Sequence, residues 1–362
     1  MRLIAALATA VGLVLGLQPS AQAQSDLPAC VHTDGTSFRD VHWQRTQPEH
    51  PLVGQVFKID RPIVTAGDAC RRSPLQQLIA EVWQTIREGG VVLLGEVHDN
   101  PQHHLVREDI LWPRWDIGSP AGGLQPGAVF EHIRVDQKSS LERFYDQAAR
   151  SRRLWTAADL LKELGWQDSG WPAAAMFEPL FAGALWAKMP ILPGDTSRER
   201  MKALARGDRS ALTETELALI KVGEDMPQPL VDALNEELVE SHCGLMPGSA
   251  FGSMNTAQRF RDAHLARALV DAAESNGAAL LLAGNGHVRT DRGVPWYVRR
   301  MAPQRKVLAV TLLEAQPGEN DAASYLPRDP DGKVATDYAL FTPRTERPDP
   351  CQQMREQFSK KK

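Results

Sequence analysis

Val91-Val92-Leu93-Leu94-Gly95-Glu96-Val97-His98-Asp99-Asn100-Pro101 is the stretch on which the fold turns. Four apolar residues run into a glycine, three ionisable side chains follow, and Asn-Pro then supplies a cap and a first-turn residue for a helix. A short continuous apolar run closed by glycine is how a strand buried on both faces of a parallel sheet reads. Just upstream, Ser73-Pro74 opens a helix whose Leu75, Leu78, Ile79, Val82 and Ile86 recur at helical spacing, and Gly89-Gly90 stops it. Comparable apolar runs recur at Ala128–Phe130, Met189–Leu192, Ala278–Ala283 and Val307–Leu313. Helices are predicted around them over Pro101–Leu111, Lys138–Arg150, Thr156–Leu164, Pro172–Lys188, Glu214–Val222, Pro229–Glu240 and Thr256–Ser275. The alternation predicts an α/β fold with a mainly parallel sheet flanked by helices. The all-helical stretch at about 195–275 is longer than one crossover needs and reads as a helical insertion or lid. A last strand, Tyr338–Phe341, returns to the sheet.

Outward from this core, 24–72 reads as an irregular N-terminal extension carrying one hairpin, 73–315 as the α/β domain, and 316–362 as a C-terminal extension. Residues 1–23 have the form of a signal peptide: Arg2 is the basic start, Ile4 to Leu17 are almost wholly apolar, and Ala21-Gln22-Ala23 fits the small-x-small cleavage rule. The expectation is a periplasmic or secreted chain beginning at Gln24. Leu27-Pro28-Ala29-Cys30 resembles a lipoprotein box, but its proline and its distance from the apolar run argue against attachment through Cys30. Forty-one basic residues against 45 acidic leave a net charge of -4, so bulk electrostatics point to neither nucleic acid nor an anionic membrane as partner. Export permits disulfides, and Cys30, Cys70, Cys243 and Cys351 allow three pairings. Cys30 with Cys70 and Cys243 with Cys351 is favoured, because each ties an extension to itself or to the body.

The chemistry gathers at strand ends, where open α/β sheets place their ligands. Gly95-Glu96-Val97-His98 leaves one strand and Gly284-Asn285-Gly286-His287 leaves another, each with a glycine followed by histidine three places on. Phe130-Glu131 puts a carboxylate at the end of a third strand, where a buried acid needs a cationic or metal partner. Each segment alone is equally a polar turn with a structural histidine; their repetition predicts one shared crevice holding His98, Glu131 and His287. Replacing either histidine by alanine is expected to weaken ligand binding at little cost in stability.

These residues, with the Gln258-Arg259-Phe260-Arg261-Asp262-Ala263 helix start, Ala283-Gly284-Asn285-Gly286-His287-Val288-Arg289 and Gly293-Val294-Pro295, resemble the ChaN-like family of haem-binding uptake proteins. Trp171, Pro172 and the His242-Cys243 pair fit the same pattern, and the resemblance runs over roughly 76–315. It implies an α/β core with a helical subdomain, an envelope location and a role in haem or iron acquisition. It also implies kinship with the Tiki and pheromone-shutdown proteins, some of them metal-dependent proteases, and with erythromycin esterases. Partners in keeping with that role are haem or another small molecule, an outer-membrane uptake receptor and a second copy of the chain in a homodimer.

Two classes of function follow. In the first, haem is the cofactor: Gly95, Gly284, Gly286 and Arg289 of the motifs contact it, and either a histidine or a tyrosine ligates iron, Tyr297 being nearest the second motif. In the second, the protein is a hydrolase in which Glu96, His98, Glu131 and His287 are catalytic. There His98, Glu131 and His287 hold a divalent metal, and nitrogen and oxygen donors suit Zn, Mn, Co or Fe alike. No Gly-x-Ser-x-Gly elbow points to a serine nucleophile.

Overall fold

The computed structural model describes residues 50–59, 74–112, 125–210, 212–246 and 248–360. The expected leader at 1–23, Cys30 and Cys70 lie outside them. Seven strands form one sheet in the order β1-β7-β6-β2-β5-β3-β4, with β1 Val56–Lys58, β2 Val91–Leu94, β3 Gly127–Arg134, β4 Ile191–Asp195, β5 Ala279–Leu282, β6 Val307–Ala315 and β7 Tyr338–Pro343. All neighbours run parallel except β1, which pairs antiparallel with β7 along the edge. The N-terminal extension is therefore not wholly irregular. Its Val56–Lys58 adds an edge strand to β7 of the C-terminal extension, so the sheet reaches beyond the 73–315 core at both ends of the chain.

The β2 side chains alternate between two cores, as strand geometry requires. Val92 and Leu94 join one apolar layer with Leu280 and Leu282 of β5, while Val91 and Leu93 join the other with Ala279 and Leu281. The first layer is covered by α1 Pro74–Arg87, α2 Pro101–Leu111, α3 Lys138–Arg150, α4 Ala157–Glu163 and α5 Ala174–Trp186. Helix α1 buries Leu78, Ile79, Val82 and Ile86 completely. Each such side chain stabilises by about 1.5–3 kcal/mol relative to exposure, so the apolar stripe rather than helix propensity holds α1 in place.

The other layer is α6 Arg198–Ala205, α7 Glu214–Glu224, α8 Gln228–Ser241, α9 Phe251–Asn276 and α10 Val294–Met301. The stretch expected as a helical insertion or lid supplies α6 to α9 of this face, and α10 completes it. Helix α9 crosses β3, β4 and β5, burying Phe260, Ala263, Leu265, Ala266 and Leu269 against them. Among the described residues no helix is long and apolar enough to cross a membrane. The last helix, α11 Pro350–Lys360, is tied to the end of α8 by a Cys243–Cys351 disulfide with Cα atoms 5.6 Å apart.

Candidate functional site

Strands β2, β3 and β5 end side by side, and both glycines there are set by close approach rather than by dihedral freedom. A Cβ on Gly95 would collide with Asn285, whose side chain ties the second loop to Leu312 of β6. A Cβ on Gly284 would stand 2.9 Å from His98 Cε1 and 3.0 Å from its Nε2. The two Gly-x-x-His loops therefore interlock. Asn100 caps α2 by accepting from the Gln102 backbone N–H at 2.8 Å, which sets Glu96 and His98 in the turn between β2 and α2.

Glu96, 2% exposed, is the hub of one half of the site. Its Oε1 accepts from His98 Nδ1 and His132 Nε2, both at 2.7 Å, and its Oε2 meets Arg107. His104 also lies 3.1 Å from that oxygen, but its Nε2 donates to the His98 carbonyl and its Nδ1 accepts from Arg107. Burial lowers the His104 pKa to about 4, in keeping with this neutral form. Burial likewise pulls Arg107 down to about 9. Because His98 donates through Nδ1, its Nε2 keeps a lone pair, and this faces Gly284 and Glu131, whose Oε1 is 4.0 Å away. Desolvation lowers the pKa of His98 too, although its side chain is 36% exposed. The Trp171 ring packs 4.8 Å from the imidazole.

Glu131 is the hub of the other half. It accepts the Gly284 backbone N–H at 2.7 Å, and Arg261 and His287 lie 3.1 and 3.3 Å from its Oε1. Burial alone would raise its carboxyl, but His287, Arg261 and His98 hold it well below the usual range. His287 is clamped between Glu131 and Asp262, the latter at 2.5 Å from Nδ1; burial opposes its charge, yet the two carboxylates raise its pKa to about 10. Arg261 also reaches Asp195 at 2.6 Å. Alternation along β3 explains the two halves: Glu131 points toward α9, and His132 toward the aromatic layer of Trp166, Trp171 and Phe177.

His98, Glu131 and His287 thus come together as expected from their strand ends, both imidazoles within 4.0 Å of one Glu131 oxygen. As metal ligands, however, the same three are poorly disposed. His287 has both ring nitrogens against carboxylates, and an imidazolium has no lone pair to give a metal. Among the described residues the set whose ligand atoms lie within 4.8 Å of one another is Glu96, His98 and His132. Arg107 already presses a positive charge on Glu96, which opposes a second cation there.

The nominated cofactor contacts also scatter. Gly95 and Gly284 are packing positions, as described, and Gly286 faces Glu237 of α8. Arg289 is engaged by Asp291 at 2.6 Å and the Arg328 carbonyl at 2.7 Å. Tyr297 is fully buried in the α9–α10 layer, edge-on to Trp296, and has no face open to a macrocycle. Residues given no role from sequence, namely His132, His104, Arg107, Asp195, Arg261 and Asp262, complete the site. Arg261 and Asp262 carried a usable signal: two charges between Phe260 and Ala263, just before the apolar Leu265, Ala266 and Leu269 of the same helix.

The mouth of the site is a cavity of 270 Å³ lined by Glu131, Asp195, Trp171 and the guanidinium groups of Arg134, Arg198 and Arg261. That is below the usual size of a site enclosing a drug-sized ligand, and its wall is charged. A haem macrocycle does not fit it.

The sequence pattern described as "Haem-binding uptake, Tiki superfamily, ChaN" matches residues 82–298. No curated protein matches the chain. Among solved structures, ChaN of Campylobacter jejuni, described with cofacially bound haem, is 18% identical, covering 78% of this chain and 94% of that one at a TM-score of 0.55, and it shares the α/β fold. The type III effector HopBA1 is 12% identical over 75% of this chain and 94% of its own, at a TM-score of 0.37. With well over half its length inside the family pattern, the chain belongs to the haem-binding uptake family of the Tiki superfamily, the ChaN family.

Proposed function

We propose that the protein is an exported haem-binding protein serving haem or iron uptake. Family membership over residues 82–298 supports this reading most directly. Export rests on the leader read at residues 1–23, and a mature chain beginning at Gln24 in the periplasmic fraction, checked by intact mass, is the expected outcome. Because the polar mouth is too small and too charged for a macrocycle, the reading seats haem outside it. Haemin titrated into the purified full chain is expected to give a stoichiometric Soret shift. A flat titration would overturn the haem reading.

A second reading is favoured by one specific observation: His98 offers an unprotonated Nε2 beside the cavity and is oriented through Nδ1 by Glu96. A carboxylate-oriented imidazole of this kind serves as a general base or as a metal ligand. Under the hydrolase reading, His98 takes a proton from water or substrate at Nε2, Glu96 steadies the resulting charge, and Arg261 faces developing negative charge. Any metal would have to be held by Glu96, His98 and His132 against the neighbouring Arg107 charge, and would supply Lewis acidity there. Elemental analysis of protein purified without chelators tests this: retained metal that His98→Ala loses supports the site, and its absence leaves only metal-free acid/base chemistry.

A further inference from the structure

A second, apolar cavity lies away from the polar cluster, along the open edge of the sheet. It has a volume of 590 Å³, within the range of small-molecule sites. Leu141 of α3, Leu185 of α5, Met189, and Leu192 of the edge strand β4 form its apolar wall. Three hydrogen-bond donors stand on it. The Tyr145 hydroxyl accepts the outward backbone N–H of Ile191 at 3.3 Å, which leaves its own proton to donate. Burial raises the pKa of Tyr145, so that proton is retained at neutral pH. Lys138 and Lys188 line the same cavity, against the single acid Glu142, and neither has an ion-pair partner among the described residues.

Lys188 has a second mark. It follows the end of α5 with φ of 54°, the left-handed position that glycine ordinarily fills at a helix end. A lysine there strains the backbone, because its Cβ crowds the following carbonyl oxygen. Lysine in place of the usual glycine points to a use for its ammonium at the cavity, since inference from such an outlier runs toward function.

We propose that this groove binds a molecule with an apolar body and a carboxylate, the body lying on Leu141, Leu185, Met189 and Leu192 and the carboxylate received by Tyr145, Lys138 and Lys188. The propionates of haem and the headgroup of a fatty acid share this chemistry. With haem as occupant, the proposal rests on the haem reading above; with a fatty acid, it stands apart from it.

The test titrates the full chain with haemin, iron-free protoporphyrin IX and palmitate, alongside Leu185→Glu, Tyr145→Phe and Lys188→Gly variants. Glycine suits the backbone at 188, so Lys188→Gly removes the ammonium without threatening the fold. Leu185→Glu is expected to weaken binding at least about tenfold, since it puts a carboxylate on the apolar wall. Tyr145→Phe is expected to weaken it by about 2- to 12-fold, the value of one hydrogen bond. Lys188→Gly is expected to weaken it while the melting temperature is unchanged or higher. Binding of porphyrins only, or of palmitate only, identifies the source, and either supports the groove. Haemin binding untouched by all three variants overturns the groove and spares the haem reading, whereas groove-sensitive palmitate binding with no haemin response does the reverse. No binding of any of the three overturns the groove as a ligand site, and a dimer dissolved by Leu185→Glu would then assign it to a second copy of the chain.

Discussion

His98 and His287 each stand three residues beyond a glycine, yet their surroundings give them opposite protonation and opposite energetic roles. His98 is part-exposed, with a free Nε2; His287 is 6% exposed and donates toward carboxylates on both sides. The expectation that both could be removed at little cost is therefore kept for His98 only. His287→Ala leaves Glu131 and Asp262 buried without their shared cation, and breaking such a pair typically costs about 3–5 kcal/mol. His98→Ala loses one hydrogen bond at a surface the solvent can reach, about 1 kcal/mol. Urea unfolding of the two variants should show that order. Equal losses would mean that the two histidines do not differ as their partners indicate.

The β2–α2 connection shows why the elements were legible in sequence while much of the site was not. The run Val91–Leu94, the Gly95 stop and the Asn100-Pro101 start are local signals, and all three hold. Strand β3 reads only in part: its apolar run stops at Phe130, but the strand continues through Glu131 and His132 because their partners come from the loop after β5, the turn between β2 and α2, and α9. Those partners lie far away in sequence, and period and spacing carry no information about them. His103 is of the same kind. Its Nδ1 accepts the Val97 N–H at 2.8 Å, so its Nε2 carries the proton and donates to Thr342 of β7 at 2.8 Å. Burial lowers its pKa to about 3 from 6.5. The unfolded chain thus binds a proton that the folded chain refuses, and stability present above pH 6.5 is lost as pH falls toward 3, by up to about 1.4 kcal/mol per pH unit for this residue. His103→Gln, which keeps a donor near Thr342 but does not titrate, should flatten the fall in urea midpoint between pH 6 and 4. An unchanged slope would show that His103 is not the group responsible.

At the scale of the whole molecule, the two extensions close the α/β core in separate ways, and the C-terminal one does so twice. After β7, Arg347 reaches Asp99 at 2.8 Å and both carboxylate oxygens of Glu314 at 2.7 Å, while Asn100 donates to Glu314 at 2.7 Å and to the Pro343 carbonyl at 3.0 Å. The loop that presents Glu96 and His98 is therefore clamped by the tail. Beyond the clamp, Cys243–Cys351 closes a loop of 108 residues. A crosslink over that span stabilises mainly by restricting the unfolded chain, typically by about 2–4 kcal/mol. Since the clamp precedes the cystine, the two restraints should separate. Cys351→Ser should lower the melting temperature by on the order of 5–10 °C and raise hydrogen exchange in α11, while exchange at 96–100 stays as in the wild type. Arg347→Ala should do the opposite, loosening 96–100 and leaving the disulfide and α11 protected. If Cys351→Ser loosens 96–100 as much as Arg347→Ala does, the tail acts as one unit, and the polar site depends on the oxidation state of the chain.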